Sequence, residues 1–247
     1  MSTVSKYALV FQNRLLSFDQ DIELIDIICR AQKADDFLKD DNLLFSYLDD
    51  KKHPALNTRK ANTTSRGIVI NHLKATVYSS YIKDIYEELT AYIKSFLYEA
   101  ALKAKDPCTA KRLLGDQKIT INAADALTYN TLDDLIMMIA ESIIQGLEHE
   151  RSTKELVRKI CSKTSITIDD KKLEEALPFL ELRHKLVHTD GKVDSEFKNK
   201  FPQFTYDKDD YITLNHKTIL AAKSKITSLV LAIDKEAIKI GLLLPNT

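Results

Sequence analysis

The chain has 247 residues, with 36 Lys+Arg balancing 36 Asp+Glu, 44 % apolar residues and 29 % charged ones. Zero net charge removes any global attraction to nucleic acid or to an anionic membrane, and the apolar share is that of a globular protein rather than a disordered one. Five Gly and five Pro are too few for the many tight turns of a β-sandwich or barrel, so the composition predicts long helices.

The five-residue apolar run from Tyr7 to Phe11 is too short for the apolar core of a signal peptide. The six-residue run from Leu135 to Ala140 falls far below the roughly 20 residues that span a bilayer. Cys29, Cys108 and Cys161 are odd in number and far apart, which suits neither a disulfide framework nor a C-x-x-C metal hook. A soluble, cytoplasmic protein without membrane association is expected.

In chain order, residues 4–16 and 18–38 read as two helices, with Ser17 and Gln20 in capping-box spacing ahead of the second. Residues 51–64 form a polar loop rich in Asn and Thr. A long helix follows from about Ser65 to Lys105, striped by Ile70, Leu73, Val77, Tyr81, Ile85, Leu89, Ile93 and Leu97. Another helix opens after Asn130 or Thr131, with Asp133 and Asp134 favourable in its first turn, and Ser152 is placed to cap a short helix over 153–162. Lys171 to His188 is helical in pattern, with a restart expected near Pro178. Thr205–Tyr206 and Tyr211–Leu214 flank an acidic turn and predict a minimal hairpin. A last helix over about 216–240 carries Ile219, Ala222, Ile226, Leu229, Ile233 and Ile240, and Gly241 suits its C′ position. The simplest account is a single all-α domain over 1–247, with an N-terminal elaboration over about 1–50 and a core over about 60–240.

Chemistry concentrates in Glu181-Leu182-Arg183-His184-Lys185-Leu186-Val187-His188-Thr189-Asp190-Gly191-Lys192-Val193. One guanidinium and two imidazoles lie within six residues, just before a helix stop. Phe179, Leu182 and Leu186 anchor one face and leave the polar groups elsewhere. His188 stands where the helix-end carbonyls attract a cation. Histidine gives or takes a proton near neutral pH, and Arg offers permanent charge and five donors to a phosphate. Together they supply acid–base and electrostatic help for phosphodiester cleavage. With eight Arg and six His in the chain, an Arg-x4-His pair arises by chance about 0.2 times, so the bare spacing says little.

The wider stretch says more. An apolar residue, Arg, a polar residue, spacers, His, and then Gly and an apolar residue resemble the motif of the HEPN superfamily, all-helical proteins with an Arg-x(4–6)-His signature. Arg183, His184 and His188 fill its three polar places, and Leu186 to Val193 looks like its usual exit from the motif helix. The match covers about a dozen residues; the long helix and the terminal helix look like the family's frame over about 60–240. The resemblance implies an HEPN-like helical bundle and a metal-independent ribonuclease, in which the RNA's own 2′-hydroxyl attacks the adjacent phosphate to leave a 2′,3′-cyclic phosphate and a 5′-hydroxyl. It implies His188 as the proton-transfer group, Arg183 as the stabiliser of the phosphorane-like charge and His184 as an auxiliary. It further implies a homodimer with two motifs facing one cleft, no metal or cofactor, a setting as a toxin or abortive-infection effector, and an inhibitory or gating protein partner. On an ideal helix Arg183 and His188 lie about 140° apart, which a second copy's motif would accommodate. Asp190 stands where one branch of the superfamily carries a Tyr modified by its partner.

Other features were weighed beside the motif. Lys51 to Lys83 contains no acidic residue and seven Lys or Arg; Arg59, Lys60 and Arg66, on a loop closing over substrate, are candidate RNA contacts, as is Lys185 in the motif. The acidic stretch just before, from Asp35 to Asp50, offers simple neutralisation instead. Tyr78, Tyr81, Tyr86, Tyr92 and Tyr98 suit packing better than base stacking. His149 beside Glu148 and Glu150 lacks a partner at zinc spacing, and no glycine-rich phosphate loop or nucleophile elbow is present. Two further readings stay open: a catalytically silent HEPN-like module that binds RNA or scaffolds an effector, and a helical scaffold without a nucleic-acid role.

Overall fold

Apolar residues at 8, 11, 15, 18, 22, 25 and 29 alternate steps of three and four without a break, so the first helical stretch holds one face through Ser17. A computed structural model describes residues 4–33, 49, 51–57, 63–103, 120, 122–126, 128–129, 131–148 and 153–246. In it α1 runs uninterrupted over Lys6–Lys33, where two helices had been expected. Ser17 does not cap a second helix; its hydroxyl donates to the Arg14 carbonyl at 2.6 Å, a bond made from inside a continuing turn.

Pro54–Asn57 is a single helical turn, α2, inside the stretch read as loop. The long helix α3, Thr63–Lys103, has 41 residues and is about 60 Å long at 1.5 Å per residue. Its buried face is wider than the predicted stripe. Tyr78, Ile82, Tyr92 and Phe96 join Tyr81, Ile85, Leu89 and Leu97 inside, while Leu73 stays exposed. The helix is packed from several sides, and a single seam undercounts its core.

Beyond it lie α4 (Ala123–Ala126), α5 (Leu132–Glu148), α6 (Thr153–Thr164) and α7 (Asp170–His188). The start of α5 is a reciprocal cap: the Asp134 N–H donates to Thr131 Oγ1 at 3.1 Å and the Thr131 N–H to Asp134 at 3.0 Å. Helix α7 opens on Asp169, whose side chain accepts from the Lys171 N–H at 2.9 Å. It continues through Pro178 without the expected restart. Leu173, Ala176, Phe179, Leu180, Leu182 and Leu186 are buried on both sides of the proline, so packing outweighs the missing backbone hydrogen bond.

After α7 come a short helix not anticipated from the sequence, α8 (Ser195–Lys200), the two-residue strands β1 (Thr205–Tyr206) and β2 (Ile212–Thr213), and α9 (His216–Lys239). The strands pair antiparallel, Thr205 with Thr213 and Tyr206 with Ile212, as the expected hairpin. Gly241, at φ +76°, ends α9 as predicted, with the Leu242 N–H reaching the Ala237 carbonyl at 2.8 Å and the Gly241 N–H reaching Ile238 at 3.0 Å. Ile240, included in the predicted stripe, is exposed because it lies past the last turn.

Among the described residues the fold is all-α apart from that hairpin. Helix α3 is the hub, touching α1, α5, α6, α7 and α9, and α9 also packs on α7 and α1. Helix α1 is no appendage, since Ala8, Phe11, Leu15 and Ile22 belong to the same core as α3, α7 and α9. Among the described residues no helix is long and apolar enough to cross a membrane.

Candidate functional site

The last turns of α7 are held from three directions before any polar group enters. Leu182 and Leu186 are buried in the shared core. Phe179, Phe197, Phe201 and Phe204 form an aromatic cluster, with Phe179 edge-on to Phe204 at 5.8 Å and Phe197 edge-on to Phe201 at 4.9 Å, which seats α8 and the hairpin against α7. The chain then leaves the helix through two left-handed residues, Asp190 at φ +52° and Gly191 at φ +84°. The Gly191 N–H donates to the Lys185 carbonyl at 3.0 Å, and its own carbonyl accepts from the Ile212 N–H at 2.9 Å. Helix end and hairpin are therefore one hydrogen-bonded unit. A Cβ at Gly191 would approach Leu186 Cδ2 to 3.3 Å, so glycine meets both a backbone and a packing demand.

Four predicted site residues share this helix end, and they divide among three directions. Arg183 turns toward α3, where its guanidinium carbon lies 4.4 Å from the centre of the Tyr86 ring, within cation–π range. The residue is half-buried, and its Nε is enclosed without a hydrogen-bond partner among the described residues. His184 and His188, one turn apart, lie together on an exposed face with ring centres 4.4 Å apart and planes tilted by 45°. Neither imidazole hydrogen-bonds to a described residue. Partial desolvation, and then the neighbouring charges of His188, Lys185 and Arg183, hold His184 below its ordinary pKa of 6.5, with Glu181 pulling the other way.

Lys185 is engaged elsewhere. Its ammonium pairs with Asp194 at 2.9 Å and lies 5.6 Å from the Phe197 ring centre. Asp194 also accepts from the Phe197 N–H at 2.8 Å as the cap of α8, and the two bonds hold its carboxyl below the usual carboxylate range. Nearby lysines are likewise tied to acids, Lys198 to Asp210 and Lys225 to Glu175. These lysines are thus neutralised within the chain.

Arg66 does not join the motif within one chain. It belongs to the first turns of α3, about 30 Å of helix away from Tyr86. Arg59 and Lys60 lie outside the described residues, as do His149 and Cys108. Lys52, from the same basic stretch, pairs with Asp49 at 4.0 Å, as simple neutralisation predicts. Tyr78, Tyr81 and Tyr92 are buried in the core, and the contact of Tyr86 with Arg183 is one that sequence reasoning missed. Nothing in the chain order links Tyr86 to an arginine 97 positions later; only the α3–α7 contact does.

A groove of about 310 Å³ between α1 and α3, lined by Phe18, Ile25, Leu73, Val77 and Asp84 among others, contains no motif residue. Among the described residues no three His, Cys, Asp or Glu side chains cluster as a metal site. Comparison of the chain with family profiles, with curated proteins and with solved structures finds no match. What the arrangement can do chemically rests on its own groups: two solvent-facing imidazoles for proton transfer, with a positioned guanidinium on the neighbouring face.

Proposed function

We propose that the chain is a metal-independent endoribonuclease of the HEPN type, acting in the cytoplasm as a toxin or abortive-infection effector. The observation that carries this reading is the pair of exposed imidazoles of His184 and His188, without a hydrogen-bond partner among the described residues, beside Arg183 at a helix end held by packing and hydrogen bonds. In the reaction a neutral imidazole takes the proton of the 2′-hydroxyl and O2′ attacks phosphorus. The P–O5′ bond breaks, and an imidazolium returns a proton to O5′, leaving a 2′,3′-cyclic phosphate and a 5′-hydroxyl. Arg183 stabilises the charge that builds on the non-bridging oxygens.

Base and acid must reach oxygens on opposite sides of phosphorus, whereas His184 and His188 lie together on one face of α7. In this reading one chain's imidazoles serve one side, and a second copy's motif supplies the other. The test is cleavage of RNA in EDTA by wild type and by Arg183→Ala, His184→Ala and His188→Ala, with identification of the product ends. His188→Ala should lose on the order of 100-fold or more in turnover, the usual worth of a general acid or base. Equal turnover by wild type and the variants removes these residues from the mechanism.

The seat of Arg183 on Tyr86 favours one second reading, a catalytically silent module in which Arg183 is a strut between α7 and α3. There Arg183→Ala lowers the melting temperature while wild type binds RNA without cutting it.

A further inference from the structure

We propose that His184 and His188 form a two-ligand clip for a divalent transition-metal ion of the zinc class, on the outer face of α7. Histidines four residues apart stand one above the other on a helix, the spacing that lets two imidazoles share one ion. An ion 2.0–2.1 Å from a nitrogen of each ring lies about 3.1 Å from each ring centre. Ring centres 4.4 Å apart then subtend about 90° at the ion, an angle that adjacent ligands of a six-coordinate or open four-coordinate site adopt.

The surroundings leave this pair available. Both residues are exposed, and neither imidazole is committed to a described neighbour. The two flanking cations are directed away, Arg183 onto Tyr86 and Lys185 onto Asp194. Glu181, three residues before His184, adds negative charge on the same side. No third ligating side chain completes the set among the described residues, so the ion keeps exchangeable positions for water or an added ligand. Imidazole donors select Zn²⁺, Cu²⁺ or Ni²⁺ over the oxygen-seeking Mg²⁺ and Ca²⁺. A consequence rests on the ribonuclease reading: the bound ion occupies the nitrogen lone pairs that proton transfer needs, so Zn²⁺ inhibits cleavage rather than supporting it.

Calorimetric titration of the full chain with ZnCl₂, and separately with MgCl₂, tests the clip without RNA. Wild type and His72→Ala, an exposed histidine on α3, should take up one Zn²⁺ per chain and no Mg²⁺. His184→Ala and His188→Ala should bind Zn²⁺ at least about tenfold more weakly while keeping the wild-type circular dichroism spectrum. No Zn²⁺ uptake by wild type, or undiminished uptake by His184→Ala, overturns the clip. In a cleavage assay, Zn²⁺ at saturating concentration should stop wild-type turnover and EDTA should restore it; turnover indifferent to saturating Zn²⁺ overturns the link between clip and reaction. Histidine-dependent Zn²⁺ uptake by a preparation that cuts no RNA keeps the clip and sinks the ribonuclease reading.

Discussion

His184 and His188 share a face of α7, and the charge of one reaches the other. Because desolvation and then His188 depress the His184 pKa, His188→Ala should move the His184 titration midpoint upward, toward 6.5, in an NMR pH series. An unmoved midpoint means the two rings do not interact in solution. The sign for stability follows from the same shift. Folded His184 binds its proton more weakly than an unfolded imidazole, so the folded state loses stability as pH falls through 6.5 and keeps it above. Tyr86 is a positioning residue for Arg183 rather than a reacting group. Tyr86→Leu should cost about 1 kcal/mol of stability from the lost cation–π contact, while Tyr86→Phe keeps most of it. If cleavage depends on that seat, Tyr86→Leu lowers kcat more than it raises KM, and Phe restores it; a variant that melts lower but cleaves at the wild-type rate marks a purely structural contact.

Helix α7 is unusual in where it stops rather than where it starts. Its end is set by Asp190 and Gly191 in left-handed conformations and by hydrogen bonds that run from the Lys185 carbonyl through Gly191 to Ile212 of β2. Gly191→Ala forces a Cβ into a backbone region that L residues avoid, and against Leu186. The expected loss is about 1–2 kcal/mol in urea unfolding. On the ribonuclease reading, turnover should fall further than stability alone explains, because the same linkage holds the helix end that carries His188. An alanine variant as stable as wild type shows that the helix end relaxes without the glycine. The hairpin gains a purpose from this arrangement: its two-residue strands bury little, yet they brace the exit of the motif helix.

Across the fold, a buried carboxylate ties the two ends of the chain to its centre. Asp234 of α9 is 1 % exposed and accepts from the Ser5 N–H at 2.8 Å, from the Ser5 hydroxyl and from the Tyr92 hydroxyl of α3 at 3.2 Å. Ser5 in turn caps α1, accepting from the Ala8 N–H at 3.2 Å, and the Asn246 N–H donates to the Val4 carbonyl at 2.8 Å. Burial, with Asp234 beside it, pushes the Tyr92 phenol far above its usual range, so it acts only as a neutral donor. Asp234→Ala strands three buried donors and should cost about 3 kcal/mol or more in urea unfolding. Tyr92→Phe removes a donor together with its need and should cost about 1 kcal/mol. A loss below about 1 kcal/mol for Asp234→Ala shows that water replaces the carboxylate. A second link across the same three helices joins Asp19 of α1 to Lys223 of α9 and to the Tyr81 hydroxyl.

How much of this was legible before the fold divides along a physical line. The long helices, the hairpin, the Gly241 stop and the Arg183–His188 cluster are local properties, encoded by apolar period, turn chemistry and short spacing, and they were readable from the chain, whereas the short helices α2, α4 and α8 were not. The continuity of α1 through Ser17 and of α7 through Pro178 was misread, because a cap residue or a proline is a local vote that buried faces on both sides outweigh. Asp234 looked like one more acid on a terminal helix, since nothing in its neighbourhood shows that Ser5, 229 positions away, is its partner. Likewise the sequence determined that a guanidinium and two imidazoles share one helix end. Only the tertiary structure decided that Arg183 turns to Tyr86, that Lys185 spends its charge on Asp194, and that the two histidines face solvent together. Those outcomes depend on which helix packs against which, and side-chain direction follows from that packing rather than from position along the chain.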